Sequence, residues 1–210
     1  KMSKKILKNK VTIITGASRG LGLEIAKNFI SLGSNLVICS RKKKTLTKSL
    51  KILKTYIGKG QQILAYNVDV SSQKDVVRLV NKTLKKFKKI DILINNAGIY
   101  GPKGMVEKVN WIKWKRAIEI NLFGSVLMCR AVLPYFKKIR RGKIIQLSGG
   151  GATNPLPMIS GYAASKAAVV RFIETLAEEV KNYNIQVNAV APGPLNTNML
   201  NEVLKSGQKK

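Results

Sequence analysis

A doubly wound α/β domain, with a parallel sheet covered by helices on both faces, is the fold this chain predicts, and three observations predict it. Short apolar runs rich in β-branched residues alternate with amphipathic stretches from residue 11 to residue 191. The runs are apolar at successive positions, without inward–outward alternation, which marks strands buried on both faces. With 210 residues and 45% hydrophobic content, the chain can fill one full core.

Val11-Thr12-Ile13-Ile14-Thr15 is the first such run, closed by Gly16. Leu21, Ile25, Phe29 and Leu32 then recur at helical spacing until Gly33 stops the pattern. Leu36 to Ser40 predicts the second strand, Leu46 to Ile57 a Lys-rich amphipathic helix, and Ile63 to Val68 the third strand. Val76 to Phe87 predicts a helix, Ile90 to Asn95 the fourth strand, and Trp111 to Phe136 a long helical region. Lys143 to Ser148 is the fifth strand, Tyr162 to Lys181 a helix, and Ile185 to Ala191 the sixth strand. The chain divides into a basic N-terminal segment (1–10), a single domain (11–200) and a short tail (201–210). In sheets of this kind ligands sit beyond the carboxyl ends of the strands, so the residues just after each strand are the candidates for chemistry.

Composition narrows that chemistry. Lys and Arg number 39 against 10 Asp and Glu, a formal charge of +29, and there is no histidine. Ser-His-Asp and Cys-His nucleophile systems and His-containing metal sites are therefore excluded, and no metal site is predicted. Acid–base work near neutral pH falls to a perturbed Tyr, Lys or carboxylate. The cysteines Cys39 and Cys129 lie far apart in apolar surroundings with no CxxC spacing, which predicts reduced, buried thiols in a cytoplasmic protein. No run approaches 18 uninterrupted apolar residues, and the basic N-terminus leads into only a short apolar stretch, so neither a membrane span nor a signal peptide is predicted. Of the basic residues only eight are Arg, and the Lys are scattered. Aromatics are not interleaved with the clusters Lys42-Lys43-Lys44 or Lys85-Lys86 and Lys88-Lys89. That pattern predicts weak, salt-sensitive attraction to polyanions and no specific nucleic-acid partner.

The first strand runs into Thr15-Gly16-Ala17-Ser18-Arg19-Gly20-Leu21-Gly22. Glycines at 16, 20 and 22 let backbone N–H groups approach a pyrophosphate at the N-terminus of the following helix, where the dipole favours negative charge. The residue ending the second strand is Ser40, followed by Arg41, where an Asp or Glu would bind a ribose 2′-hydroxyl. Arg19 and Arg41 with no carboxylate suit a 2′-phosphate, so NADP(H) is expected over NAD(H). Tyr162 and Lys166 are four apart on a helix and project from one face. A phenol titrates near pH 10, and a neighbouring ammonium lowers that value, which makes the pair the acid–base candidate.

Asn95-Asn96-Ala97-Gly98 follows the fourth strand, Ser148 ends the fifth, Tyr162-Ala163-Ala164-Ser165-Lys166 opens a helix, and Pro192-Gly193-Pro194-Leu195-Asn196-Thr197 follows the sixth. With these signals in this order after the Gly-rich turn, the chain resembles the short-chain dehydrogenase/reductase (SDR) family over nearly its whole length. The resemblance implies a Rossmann-like sheet and hydride transfer between a nicotinamide cofactor and a carbonyl or alcohol substrate, such as a ketone or 3-oxoacyl compound. It gives Tyr162 the general acid/base role, and Lys166 the lowering of its pKa and a hydrogen bond to the nicotinamide ribose. Ser148 would polarise the carbonyl, and Asn121 would hold a water in the proton relay. The family's serine often lies 13 residues before the tyrosine, a position occupied here by Gly149, whereas Ser148 lies 14 before Tyr162.

For the cofactor the resemblance implies Gly16, Ser18, Arg19, Gly20, Leu21 and Gly22 at the phosphates and Ser40 and Arg41 at the adenosine ribose. Asp69 and Val70 would meet the adenine, with Asn95, Ala97 and Gly98 along the adenosine side. Pro192, Gly193, Leu195 and Thr197 would meet the nicotinamide end. A homodimer or homotetramer through the helices at 111–136 and 162–181 is also implied. Family members commonly continue several tens of residues past the equivalent of Met199, so the sheet is expected to lack the family's C-terminal strand. A dinucleotide-binding sensor or scaffold without turnover is the alternative from another class, and a nucleic-acid binder a further one; the presence of Tyr162 beside Lys166 favours the enzyme. Trp111 and Trp114 are expected in the core or at a subunit contact, and Glu174, Glu178 and Glu179 to pair with Arg171 and Lys181 on a solvated face.

Overall fold

Six strands alternate with helices along residues 5–193, the part of the chain that the computed structural model describes. They are β1 (Val11–Thr15), α1 (Gly20–Ser31), β2 (Asn35–Ser40), α2 (Lys43–Lys54), β3 (Ile63–Asn67), α3 (Gln73–Phe87) and β4 (Ile92–Asn95). Then come α4 (Trp111–Ile118), a π-helical turn (Glu119–Phe123), α5 (Gly124–Ile139), β5 (Gly142–Leu147), α6 (Ser160–Val180) and β6 (Ile185–Val190). Short 3-10 turns lie at Gly150–Ala152 and Lys181–Tyr183. Every strand pair is parallel, in the order β3-β2-β1-β4-β5-β6.

Consecutive strand residues feed opposite layers. Ile13, Val37, Leu93 and Ile144 pack under α3, α5 and α6 with Val76, Met128, Val132, Phe136, Ile173 and Leu176. Their neighbours Ile14, Ile38 and Ile94 pack under α1 and α2 with Ala26, Ile30, Leu46 and Leu53. This two-sided burial is why the strands read as continuous apolar runs. Sequence order reverses between β1 and β4, which pair directly with Ile13 opposite Leu93. That switch opens a crevice at the carboxyl ends of the strands, the usual ligand position in such sheets.

The run Trp111–Ile139 is 29 residues long and, by length and composition alone, apolar enough to cross a membrane, although no single run of 18 apolar residues occurs in it. Ala117, Ile120, Met128, Val132 and Phe136 along it are buried in the domain core. Cys39 and Cys129 are free and buried, and burial pushes both thiols up to about 12. Arg171 pairs with Glu174 at 2.9 Å and Lys181 with Glu178 at 2.7 Å on the outer side of the last helix.

Candidate active site

The turn after β1 is shaped by what stands across from it. Gly16 has φ +66°, and a Cβ there would lie 2.8 Å from the Ala97 Cα. At Gly22 a Cβ would meet the Asn96 side-chain nitrogen at 2.4 Å and the Gly16 carbonyl at 2.7 Å. Asn96 fastens this turn, its Nδ2 donating to the carbonyls of Thr15 (2.9 Å) and Gly16 (3.2 Å). Thr15 Oγ1 accepts in return from the amides of Asn96 and Ala97, both at 3.0 Å. The first helix starts from Arg19 with no side-chain cap and no acidic residue in its first turn, so its leading N–H groups face the crevice without an internal acceptor. Ser18 is half-buried, and Arg19 and Gly20 are exposed. An uncapped N-terminus behind bare glycine backbone fits a pyrophosphate.

At the end of β2, Ser40 and Arg41 present their carbonyls to Asn67 Nδ2, at 3.1 and 2.8 Å. The guanidiniums of Arg19 and Arg41 make no ion pair among the described residues. Past β3, Asp69 Oδ1 accepts from the Ser71 amide (3.0 Å) and hydroxyl (2.7 Å), and Oδ2 is ion-paired with Arg116. Burial pushes the Asp69 carboxyl up, but the Ser71 hydrogen bonds and Arg116 outweigh it and hold the group below its ordinary range. Arg116 also binds Glu119 at 2.9 Å and the Ser71 hydroxyl at 2.7 Å, which ties the end of β3 to the start of the π-helical turn. Val70 is buried, and a Cβ at Gly124 would stand 2.7 Å from its methyl.

Asn121 sits in that π-helical turn, fully buried. It clamps Ile99 on both sides: its Oδ1 accepts from the Ile99 amide (2.8 Å) and its Nδ2 donates to the Ile99 carbonyl (2.9 Å). The same Nδ2 donates to Ser165 Oγ (2.8 Å), whose hydroxyl donates to the Tyr162 carbonyl (2.7 Å). A Cβ at Gly98 would come within 3.3 Å of Asn121 Oδ1 and 3.8 Å of Lys166 Nζ. Gly98, Asn121, Ser165, Tyr162 and Lys166 thus meet where the helices cross the strand ends.

Tyr162 and Lys166 share the inward face of α6, as their spacing requires. Lys166 is 5% exposed; its Nζ donates to the Leu147 carbonyl at 2.8 Å and stands 5.6 Å over the Tyr162 ring. Burial pulls the ammonium down to about 8. Burial, reinforced by the neighbouring Tyr100 phenol, pushes Tyr162 up to about 12, because a buried phenolate loses its hydration.

Ser148 and Asn95 have defined surroundings. Ser148 is buried with its Oγ unpartnered among the described residues, and it makes no hydrogen bond to Tyr162. The residue whose Cβ direction points at the phenol is Gly149, at 2.3 Å from Tyr162 Oη. Asn95 is buried with its Nδ2 donating to the Ser125 carbonyl (3.3 Å) and near Cys129 Sγ (3.5 Å), and its Oδ1 has no partner among the described residues. Ala97 and Gly98 border the crevice, and Pro192 and Gly193 follow β6. Leu195 and Thr197 lie outside the described residues. Asn96, Ser165, Arg116 and Tyr100 were not singled out from the sequence; the first two lie inside motifs that were, and the other two carry no local signal. Trp114 donates its indole N–H to Ser160 at 3.0 Å and stacks on Trp111, which is 61% exposed.

Comparison with known proteins agrees with this geometry. The family model "short chain dehydrogenase" matches residues 10–207. A dehydrogenase/reductase SDR family member 7B of Rattus norvegicus is 34% identical over 99% of this chain, and the chain spans 65% of that relative's length. A 3-oxoacyl-[acyl-carrier-protein] reductase of Chlamydia pneumoniae is 35% identical over 95% of the chain and 80% of the relative. Among solved structures, levodione reductase superposes with TM-score 0.92 at 29% identity, covering 97% of this chain and 79% of that one. An actinorhodin polyketide ketoreductase variant with NADPH gives 0.89 at 29% identity (95% and 76% covered). A 7α-hydroxysteroid dehydrogenase with NADH and 7-oxo glycochenodeoxycholic acid gives 0.87 at 31% identity (95% and 76% covered). A tyrosine and lysine one turn apart on α6, facing an asparagine in a π-helical turn and a glycine-lined crevice, accompany that match: the chain belongs to the short-chain dehydrogenase family.

Proposed function

We propose that the chain is an NADPH-preferring oxidoreductase that reduces a ketone or 3-oxoacyl-type carbonyl reversibly, with Tyr162 as general acid. The observation that carries this reading is the Tyr162–Lys166 pair, held inside a polar chain from Ile99 through Asn121 and Ser165 at the crevice. A buried ammonium with no carboxylate partner among the described residues is a costly arrangement that packing alone does not call for.

The nicotinamide cofactor supplies the hydride. The turn from Gly16 to Gly22 and the N-terminus of α1 would hold its pyrophosphate, Asp69, Val70, Ala97 and Gly98 its adenosine, and Lys166 its nicotinamide ribose. Both NADPH and NADH occur with structurally similar proteins, so preference is argued from this chain's own charges. Ser40, Arg41 and Arg19 offer a 2′-phosphate two guanidiniums and no repelling carboxylate.

Tyr162 stays protonated throughout the neutral range because its phenol titrates at about 12. In that form it can give a proton to the substrate oxygen during reduction. Alcohol oxidation, which needs the phenolate as base, gains as pH rises. Asn121 fixes the segment carrying Gly98 and Ile99, and Lys166, anchored on Leu147, keeps a positive charge beside Tyr162 below pH 8.

The substrate is a small carbonyl compound, and the resemblance of the Chlamydia relative's name to 3-oxoacyl chemistry supports that class. Exposed Trp111, Ile112 and Phe123 support association between copies through α4 and α5. The two buried thiols support a reducing, cytoplasmic setting. NADPH oxidation against 3-oxoacyl esters, diketones and keto-sugars tests the reading. Wild type should turn over at least one class, and Tyr162→Phe should lose about 100-fold or more while retaining NADPH affinity. Tight NADPH binding with no turnover on any carbonyl would instead favour a dinucleotide sensor.

A further inference from the structure

The positive charge of the chain is answered by carboxylates in some places and not in others. Along the last helix Arg171 meets Glu174 and Lys181 meets Glu178, and on α3 Arg78 meets Asp75. Between Glu24 and Asp69 the sequence holds no acidic residue, and that stretch includes the whole of α2. Leu46, Ser49 and Leu53 are buried beneath α2 and fix which way the helix faces. Lys44, Lys48 and Lys51 stand on the opposite side at i, i+4 and i+7, all exposed and none of them in an ion pair among the described residues. The one acidic residue on the neighbouring α1, Glu24, is already held by Lys27 at 2.8 Å.

Apolar groups and further lysines extend this face at the C-terminal end of α2. Ile52 is 42% and Tyr56 44% exposed. They follow the lysine row one turn apart, the Tyr56 amide still bonded to the Leu53 carbonyl at 3.1 Å. Lys27 Nζ lies 5.9 Å over the Tyr56 ring, which puts that ring on the α1 side of the row. The basic turn at 5–8 packs on the same end. A Cβ at Gly58 would come 3.4 Å from Lys5 Nζ, and one at Gly33 3.0 Å from the Lys8 Cα. Lys5, Lys8, Lys54 and Lys59 are exposed there.

We propose that the outer face of α2 is a docking surface for a lipid bilayer with anionic headgroups. Charge complementarity selects an anionic partner, because an acid-free row of unpaired ammoniums gains most where negative charge is dense. Side-chain chemistry selects the bilayer. Lysine heads meet headgroup phosphates as point charges, while an aliphatic side chain and an amphipathic ring beside them enter the headgroup boundary. A nucleic acid would be served by guanidinium forks and free stacking rings. The helix α2 holds no Arg, and its neighbouring Tyr56 ring already lies beneath Lys27. The apolar side of α2 stays in the core, so docking needs no refolding, and the lysine row lies outside the residues assigned to the cofactor.

The experiment sediments the whole chain with phosphatidylcholine vesicles containing phosphatidylserine and with phosphatidylcholine vesicles alone, and titrates it in parallel with a random-sequence DNA duplex and with polyglutamate. Three variants are compared with wild type. Lys44→Gln/Lys48→Gln/Lys51→Gln removes the row. Lys74→Gln/Lys85→Gln/Lys86→Gln removes the same charge from α3, on the other face of the sheet. Ile52→Ser/Tyr56→Ser removes the apolar groups. All of these side chains are exposed, and a cooperative thermal melt of each variant shows that its fold is kept. Wild type should bind the phosphatidylserine vesicles and not the others, with binding falling between about 0.1 and 0.5 M salt. The α2 lysine variant should bind about 100-fold more weakly, about fivefold per lysine, and the α3 variant less than about fivefold. The apolar variant should bind vesicles about tenfold more weakly, with DNA and polyglutamate binding unchanged. No binding to phosphatidylserine vesicles at low salt, or an equal loss in the α2 and α3 lysine variants, overturns the proposal. So does an apolar variant that binds vesicles as wild type does. An α2 lysine variant that loses DNA or polyglutamate but keeps the vesicles overturns it too, and makes the face a nucleic-acid or acidic-protein surface.

Discussion

Replacing Lys166 by Met should stabilise the cofactor-free chain at neutral pH while abolishing its cofactor chemistry. Lys166 is 5% exposed, and its Nζ donates to a neutral carbonyl, Leu147 O, at 2.8 Å. Burial lowers its pKa from 10.5 to about 8, which corresponds to about 3 kcal/mol charged against the folded state. At pH 7 the group is protonated both folded and unfolded, so the whole penalty is present. Between pH 8 and 10.5 the folded chain releases a proton that the unfolded chain keeps, and wild-type stability rises across that window. Above it the penalty is gone. Met fills nearly the same volume and forfeits one hydrogen bond, charge-assisted at pH 7 and worth about 1.5 kcal/mol there, neutral at high pH and worth about 1 kcal/mol. The variant should therefore be about 1.5 kcal/mol more stable at pH 7, roughly 3–6 °C in Tm, and about 1 kcal/mol less stable at high pH.

Urea unfolding of both proteins at pH 7, 9 and about 10.5 measures the difference directly, and NADPH titration of the same samples measures the loss of affinity. A variant that is less stable at pH 7, or whose stability difference does not change with pH, would refute the reasoning. Such a result would mean that the Lys166 ammonium is solvated or paired in solution.

Ser40→Asp should reverse the cofactor preference towards NADH, and Arg41→Ala should weaken NADPH about tenfold with NADH unchanged, both read by fluorescence titration. Arg116→Met leaves Asp69 without its partner and should cost about 1 kcal/mol at neutral pH. Because the Asp69 pKa is depressed in the folded chain, wild type keeps that contribution above the ordinary Asp pKa and loses it as pH falls through the depressed one, so urea melts of the variant should show a flatter acid limb. Gly22→Ala drives a methyl to 2.4 Å from Asn96 Nδ2 and should cost about 1–3 kcal/mol together with NADPH binding, by thermal melt and fluorescence.

The sheet was legible because its strands are buried on both faces. Ile13 and Ile14 look alike in sequence yet feed opposite cores. Helix starts were harder to read. The hydrophobic period of α2 begins at Leu46, whereas the helix begins at Lys43 with an exposed basic turn. The π-helical turn carrying Asn121 has no local signature. Within the site, the spacing of Tyr162 and Lys166 gave their shared face correctly. The one-residue question at the serine was legible in the sequence, and the structure adds that the Ser148 hydroxyl is buried without a partner among the described residues while Gly149 stands against the Tyr162 oxygen. Burial of the Tyr162 phenol, which pushes it up, is a tertiary effect that the spacing of Tyr162 and Lys166 does not reveal. Arg116 with Asp69 spans 47 positions, and no local pattern announces such a contact.

Charge, the most conspicuous feature of the composition, acts in the site chiefly through where carboxylates are absent. In a chain with 10 acidic residues, each position is informative. Asp91, buried beneath the amino ends of the strands, takes the Val11 amide at 2.9 Å and draws Lys10, Lys89 and Arg141 to 3.6–3.8 Å. Asp69 and Glu119 are bound to Arg116, and Asp75 to Arg78 at 2.8 Å. Glu174 and Glu178 neutralise cations on the outer face of the last helix. No acidic residue lies within Gly16–Gly22 or at Ser40 and Arg41. The uncapped end of α1 and the guanidiniums of Arg19 and Arg41 therefore keep their positive potential uncompensated. On the proposed NADPH reading, attraction for the phosphorylated dinucleotide would come from those few groups at the strand ends, with the scattered lysines on the outer helix faces adding only a screened background.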